Sequence, residues 1–155
     1  MKAVIQRVEN ASVTVDGVLK GKIDNGLLIY LGVAHNDTEK DADWLAEKAA
    51  YLRIFNDSDG KMNLSLKDLT GSGEKAGALA VSQFTLLADA KKGRRPSWNG
   101  AAAPEKAKQL YEYFIEAVKR HGVVCECGEF QAHMKVVYTN DGPVTIILDT
   151  GEIRN

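Results

Sequence analysis

"MKAVIQRVENASVTVDGVLKGKIDNGLLIYLGV", residues 1–33, decides the fold. From Ala3 to Gly17 the chain is β-branched and alternates with period two, so it reads as one long or bent strand ending in an Asp16-Gly17 turn. "VLKGKI" is a second strand, and Asn25-Gly26 turns the chain into "LLIYLGV". That third run is apolar throughout, as expected of a central strand covered on both faces.

Working outward, the period lengthens after Thr38. Apolar residues recur at Ala42, Leu45, Ala46, Ala49 and Leu52, one face of a helix. Thr38 followed by Asp41 resembles a capping box with Asp in the usual Glu position. "NDSDGKMNLSL" (56–66) reads as a turn-rich loop, and "ALAVSQFTLLA" (78–88) as another strand. A polar loop, "DAKKGRRPSWNGAAA" (89–103), leads to a second helix with Pro104 in its first turn. Ala107, Leu110, Tyr111, Phe114 and Val118 form its buried stripe, and Gly122 suits the position just past its end. Two or three strands follow in "VVCECGEF", "MKVVYTN" and "VTIILDT". The expectation is a single α+β domain over 1–155: a mostly antiparallel, barrel-like sheet with two main helices.

One junction in that last stretch is odd. In "VVYTNDGPVTIILDT" (136–150), Asp141-Gly142 would by itself make a two-residue hairpin turn. Pro143 then removes a backbone donor where the next strand should begin to pair.

Composition narrows the function. A net charge of −1 gives no global field toward nucleic acid or membrane, so polyanion binding must come from a local basic patch. Cys125 and Cys127 sit on one strand face, too close along the chain for an easy disulfide, and no second pair completes a zinc site. They read as structural thiols of a reducing compartment. "GLLIYLGVA" (26–34) is far short of the roughly 20 residues needed to span a bilayer. "MKAVIQRVEN" has no apolar signal core, so a cytoplasmic location without membrane contact is expected. Neither a Gly-rich phosphate loop nor a dinucleotide-binding fingerprint is present.

Chemistry concentrates in "SQFT" (82–85). Ser82, Gln83 and Thr85 interrupt an apolar strand, which fits either a strand with one polar face or a pocket floor that holds a polar ligand. In a regular strand Gln83 and Thr85 share one face, Ser82 and Phe84 the other. A hydroxyl nucleophile would need a base in reach. His121 ends a helix, His35 sits in a turn, His133 is unexplained, and none lies in a local nucleophile signature. "KKGRRPSW" (91–98) gathers Lys91, Lys92, Arg94 and Arg95, with Trp98 following. It is either a solvated loop or a phosphate-contacting one, and Trp98 either stacks or anchors the loop.

These stretches together resemble one family across essentially the whole chain. "MKAVIQRVENASVTVDG", "LRIFNDSDGKMNLSL", "SQFTL", "KKGRRPSW" and "NDGPVT" look like D-aminoacyl-tRNA deacylase. The ordered pair of a Ser-Gln-x-Thr strand and an Asn-x-Gly-Pro-Val-Thr segment carries the specificity. The resemblance implies a cytosolic homodimer that hydrolyses the ester of D-aminoacyl-tRNA, spares L-aminoacyl-tRNA, and needs neither metal nor cofactor, with no DNA partner. It implies that Ser82, Gln83, Phe84 and Thr85 line a catalytic pocket for the 3′-terminal adenosine and aminoacyl group. It further implies that Gly142 and Pro143, joined by a cis peptide bond, reach into the partner subunit's pocket, held in orientation by Arg7. Asn140 and Met134 join them as expected substrate-binding residues, and Lys91, Lys92, Arg94 and Arg95 as RNA-binding ones. "FQAHM" (130–134) departs from the family's usual Gly-Ala at its second and third positions, so Gln131 and His133 mark a local difference in the pocket wall.

The implied mechanism is chiral screening by rejection. Carbonyls of the Gly-Pro loop would hold the α-amino group and occupy the space of an L side chain, whereas glycine would pass, exposing glycyl-tRNA to attack. Water attack would be assisted by the ribose 2′-OH, with backbone N–H groups near Phe84 and Thr85 stabilising the oxyanion. Two other readings remain open at this level: an esterase with Thr85 as nucleophile, and a non-catalytic tRNA-binding module.

Overall fold

A computed structural model describes residues 1–153, so the last two residues of the expected 1–155 domain lie outside it. β1 (Lys2–Val15) is the long strand expected, and Asp16 and Gly17, both at positive φ, turn it into β2 (Val18–Ile23). β3 (Asn25–Gly32) then pairs with β1 antiparallel, Ile5 opposite Ile29.

β1 does not keep one face inward along its length. Ala3 and Ile5 join the larger core cluster, whereas Ala11 and Val13 join a second cluster. With strict alternation these odd-numbered residues would all share a face. The register shifts between Val8 and Asn10 let the strand change sides at that point.

β6 (Ala76–Ser82) pairs with β3 and β7 (Val124–Cys127) pairs with β6, both in parallel. The sheet therefore runs β2-β1-β3-β6-β7, with β8 (Lys135–Asp149) on the other side of β1. β2 folds over β6 and β7, which nearly closes the barrel. The α+β, barrel-like expectation stands, with a parallel half that strand patterns alone do not reveal. Parallel pairing needs long crossovers, and the helices supply them.

α1 (Glu39–Tyr51) starts at Thr38, whose hydroxyl and N–H both donate to the Asp41 carboxylate at 2.8 Å. α3 (Pro104–Arg120) packs against α1 and buries Leu110, Tyr111, Phe114 and Val118 as the stripe requires, with Gly122 at positive φ just past its end. The segment read as a turn-rich loop instead holds a small hairpin, β4 (Phe55–Asn56) and β5 (Met62–Leu64). A third helix, α2 (Leu66–Gly71), follows it. α2 is too short to show a period, and its signature is a capping box in which Ser65 and Asp68 bond reciprocally.

The second misreading concerns the last strand. "MKVVYTN" and "VTIILDT" do not form a hairpin, because both halves continue along β1 as one strand. Between the pairs Val8↔Asn140 and Gln6↔Thr145, β1 advances only through Arg7, while β8 spends Asp141, Gly142, Pro143 and Val144. Asp-Gly-Pro is thus an excursion from a ladder that resumes beyond it.

The larger cluster packs α1 and α3 onto the sheet around Leu27, Leu45 and Phe114, and the smaller holds Val8, Val13, Leu28, Leu79 and Val81. The start of β1 is tied down as well: the Met1 amine meets Asp37 at 2.6 Å and hydrogen-bonds the Thr150 hydroxyl. Where β3 and β6 begin, Gly26 lies opposite Gly77, and a Cβ at Gly26 would sit 1.8 Å from the Gly77 carbonyl oxygen. The Asn25-Gly26 step is therefore required by close strand approach as well as by turning. Gly26→Ala is expected to lower unfolding free energy by at least about 3 kcal/mol, the upper range for single substitutions. A urea midpoint unchanged from wild type would contradict this account of the β3–β6 contact.

Candidate functional site

The apolar run of β6 ends at Ser82, not at Ala88. Gln83 N–H still donates to Leu31 O (2.8 Å), and the chain then tightens into a 3-10 turn over Phe84–Leu87. Gln83 and Thr85 therefore do not share a strand face. They meet through the turn, with Gln83 Nε2 donating to Thr85 Oγ1. The opening of a 3-10 turn leaves its first backbone N–H groups without a partner inside the turn, here those of Phe84 and Thr85. Thr85 is exposed, and its hydroxyl faces an amide donor rather than a base.

Ser82, Gln83 and Phe84 open onto a cavity of about 580 Å³, walled also by Tyr30, His133 and Met134. That volume falls within the range of small-molecule sites. The walls are largely apolar, with polar groups from Ser82 and Gln83 at the β6 end and from Tyr30, Gln131 and His133 elsewhere on the wall. Thr85 does not line the cavity. Nor do Arg7, Asn140, Gly142 and Pro143 of the same protomer. Within one protomer the structure thus separates a cavity from a projecting loop, and sequence reasoning assigns that loop to a partner subunit's pocket.

The loop is the excursion of β8. Gly142 and Pro143 are exposed, their peptide bond is cis, and Gly142 has φ 120°. A Cβ at Gly142 would lie 2.9 Å from Val144 Cγ2 and 3.0 Å from Arg7 Nη2, so glycine is needed there. Asn140 closes the neck, its Nδ2 donating to Arg7 O and Val144 O, both at 3.0 Å. Arg7 lies beneath with only 7% of its surface exposed. Its Nη1 donates to Ile54 O at 2.7 Å, and its Nε sits 2.9 Å from Asp141 Oδ2 as an ion pair lacking hydrogen-bond alignment.

Lys91, Lys92, Arg94 and Arg95 are all exposed on a loop whose base is pinned by reciprocal bonds between Asp89 and Ser97, each 2.9 Å. Among the described residues none of the four cations takes part in an ion pair. Trp98 meets Phe84 edge to face, with ring centroids 5.4 Å apart. Cys125 is buried and Cys127 half-buried. Burial pushes the Cys125 thiol up to about 12, which suits structural thiols. Among the described residues no group of three or more His, Cys, Asp or Glu side chains could hold a metal ion.

One group escaped the sequence reading. Tyr30 enters the cavity from β3 and hydrogen-bonds Tyr138 of β8, and burial followed by that neighbour pushes its phenol up to about 12. The signal was present as a lone hydroxyl in "LLIYLG", but its partner lies on a strand distant in sequence. Gln131, on the cavity wall, has φ 64°, a conformation in which glycine is the usual residue.

A family model described as D-Tyr-tRNA(Tyr) deacylase matches residues 4–149. The chain belongs to this family. Among proteins similar to it, "D-aminoacyl-tRNA deacylase" of Koribacter versatilis is 55% identical over 97% of each chain. The protein of the same name from Thermosipho melanesiensis is 54% identical over 99% of each. A solved structure titled "c-Myc DNA Unwinding Element Binding Protein" superposes with TM-score 0.86 at 38% identity, covering 96% of this chain and 98% of that one. A second, titled as a probable eukaryotic D-amino acid tRNA deacylase, shares the fold at TM-score 0.79 and 16% identity, covering 95% and 97%.

Tyr30 supplies a check on the cavity geometry. Its folded pKa is raised above the ordinary 10, so the stability gained by keeping it neutral is complete below pH 10 and is lost as pH rises toward 12. Tyr138→Phe is expected to move Tyr30's ionisation back toward 10, read by phenolate absorbance. An unmoved titration would dissolve the Tyr30–Tyr138 contact.

Proposed function

We propose that this protein hydrolyses the ester joining a D-amino acid to the 3′ end of tRNA and leaves L-aminoacyl esters intact. As a member of its family it is a hydrolase of the aminoacyl-tRNA ester bond. The observation that carries the reading is the end of β6, where Ser82, Gln83 and Phe84 open onto a largely apolar cavity sized for a small-molecule ligand.

The rest follows as one mechanism. Terminal adenosine and aminoacyl group enter the cavity, Met134 packing beside them. Water attacks the ester carbonyl with help from the ribose 2′-OH, and the oxyanion is held by N–H groups at Phe84 and Thr85. Collapse breaks the bond to the ribose oxygen and releases free D-amino acid and tRNA. Chirality is read by the Gly142-Pro143 loop of a second copy, so the working unit is a homodimer. Three features support this. The loop projects from the protomer, it lies outside that protomer's own cavity, and a buried arginine braces it from beneath. The loop occupies the space of an L side chain, a D side chain points away, and glycine passes, which extends activity to glycyl-tRNA. Lys91, Lys92, Arg94 and Arg95 meet phosphates of the RNA. The reaction belongs in the cytoplasm, and no helix among the described residues is long and apolar enough to cross a membrane.

Paired D- and L-tyrosyl-tRNA substrates test the selectivity. Wild type should release D-tyrosine only, and Arg7→Ala should lose at least about tenfold in kcat/KM as its Asp141 contact disappears. Equal hydrolysis of both enantiomers by wild type would refute the proposal. Thr85→Ala separates the two chemistries, because an RNA-assisted attack needs no hydroxyl from the protein. Turnover should stay within about tenfold of wild type, whereas a loss of about 10⁴-fold or more with the fold intact would make Thr85 the nucleophile.

A further inference from the structure

Phe84 and Trp98 carry an observation that the cavity chemistry leaves unused. Both are large aromatic rings at the surface, 57% and 41% exposed, and they touch one another with an interplanar angle of 72°. An edge-to-face contact leaves the ring that gives its edge with both faces open, whereas an offset stack would cover one face of each. Phe84 lines the cavity and Trp98 does not, so the pair runs outward from the mouth.

Trp98 also stands on a fixed base. It follows directly on the Asp89–Ser97 bridge, its carbonyl accepts from Ala101 N–H at 2.9 Å, and the next carbonyl, Asn99 O, accepts from His35 Nε2 at 2.6 Å. The tip of the same loop holds the four exposed cations that make no ion pair among the described residues. Open aromatic faces beside unpaired cations form the pattern that binds single-stranded nucleic acid, bases on the rings and phosphates on the charges.

Resting on the function proposed above, we infer that Phe84 and Trp98 form a stacking platform for the nucleobase preceding the terminal adenosine of the unpaired RNA 3′ end. The cavity takes the terminal nucleoside and its aminoacyl group, the chain leaves over the Phe84 edge, and the next base lies on the exposed aromatic pair. The phosphates beyond it run toward Lys91, Lys92, Arg94 and Arg95. The platform makes recognition depend on RNA beyond the reacting nucleoside without reading the amino acid, which matches a site that must accept many side chains.

Trp98 can be watched directly, because the chain has two tryptophans and a Trp44→Phe background leaves Trp98 as the single emitter. The trinucleotide CCA should quench its fluorescence saturably, and the same trinucleotide with an abasic middle position should not. No quenching by CCA, or equal quenching by the abasic form, overturns the platform. So does emission that responds to protein dilution instead of oligonucleotide, which would place the pair in a protein–protein contact.

In kinetics, Trp98→Ala should raise KM for D-aminoacyl-tRNA about tenfold more than KM for D-aminoacyl-adenosine, with kcat little affected, and Trp98→Phe should restore most of the difference. Equal losses on both substrates overturn the inference and make Trp98 a merely structural anchor. If wild type cleaves neither substrate, the hydrolase reading fails, while the fluorescence titration still decides whether this surface stacks a base.

Discussion

The buried guanidinium of Arg7 is the constraint on which the distinctive surface of this protein depends. A charge removed from water costs several kcal/mol unless its partners replace the lost hydration. Arg7 has such partners in the Ile54 carbonyl and the Asp141 carboxylate, and those two groups belong to different parts of the fold. Satisfying Arg7 therefore ties the segment after α1 to the excursion of β8. Arg7 is also the β1 residue at which β1 and β8 stop pairing, so the excursion departs from the ladder directly at the residue that braces it. Asn140 completes the arrangement by bonding across the neck. A projecting loop of exposed Gly and Pro is thereby given a rigid footing by groups beneath it.

The cavity follows a different logic. Its walls come from the ends of β3 and β6, the start of α3 and the segment leading into β8, so no single element defines it. Its phenols are kept neutral. Burial raises Tyr30 and Tyr111 alike, and Tyr111 donates to Ala80 O at 2.8 Å, which satisfies it inside the core. A largely apolar enclosure strengthens each polar contact inside it, because little water competes. On the proposed reading such a site holds an already reactive ester in place, and the Thr85 hydroxyl, engaged by the Gln83 amide, is not the nucleophile.

On the proposed reading, selectivity and RNA contact fall to the periphery. The Gly142-Pro143 loop, the Phe84–Trp98 pair and the basic loop are all exposed in the protomer, yet each has a braced base: Arg7, the His35–Asn99 contact and the Asp89–Ser97 bridge. Exposed groups on rigid supports bind at low entropic cost. The arrangement thus places recognition outside the enclosure in which the ester would be cleaved.

Local chemistry determined much of this. The Asp16-Gly17 turn, the Thr38–Asp41 box and most of the stripe on α3 each depend on neighbours within a few positions and are present as read. The alternation of β1, by contrast, holds only on either side of its change of face near Val8. The motif residues Ser82, Gln83 and Phe84 line a cavity, although the strand ends at Ser82 and not at Ala88, because the run "FTLL" tightens into a 3-10 turn. What only the tertiary structure decided was non-local. Whether the two halves of β8 fold against each other or continue along β1 depends on a strand from the opposite end of the chain. The parallel pairing of β3, β6 and β7, the meeting of Tyr30 with Tyr138, and the separation of cavity from projecting loop within one protomer depend equally on distant partners. Sequence periodicity encodes which face a residue shows, and it carries no information about what that face will meet.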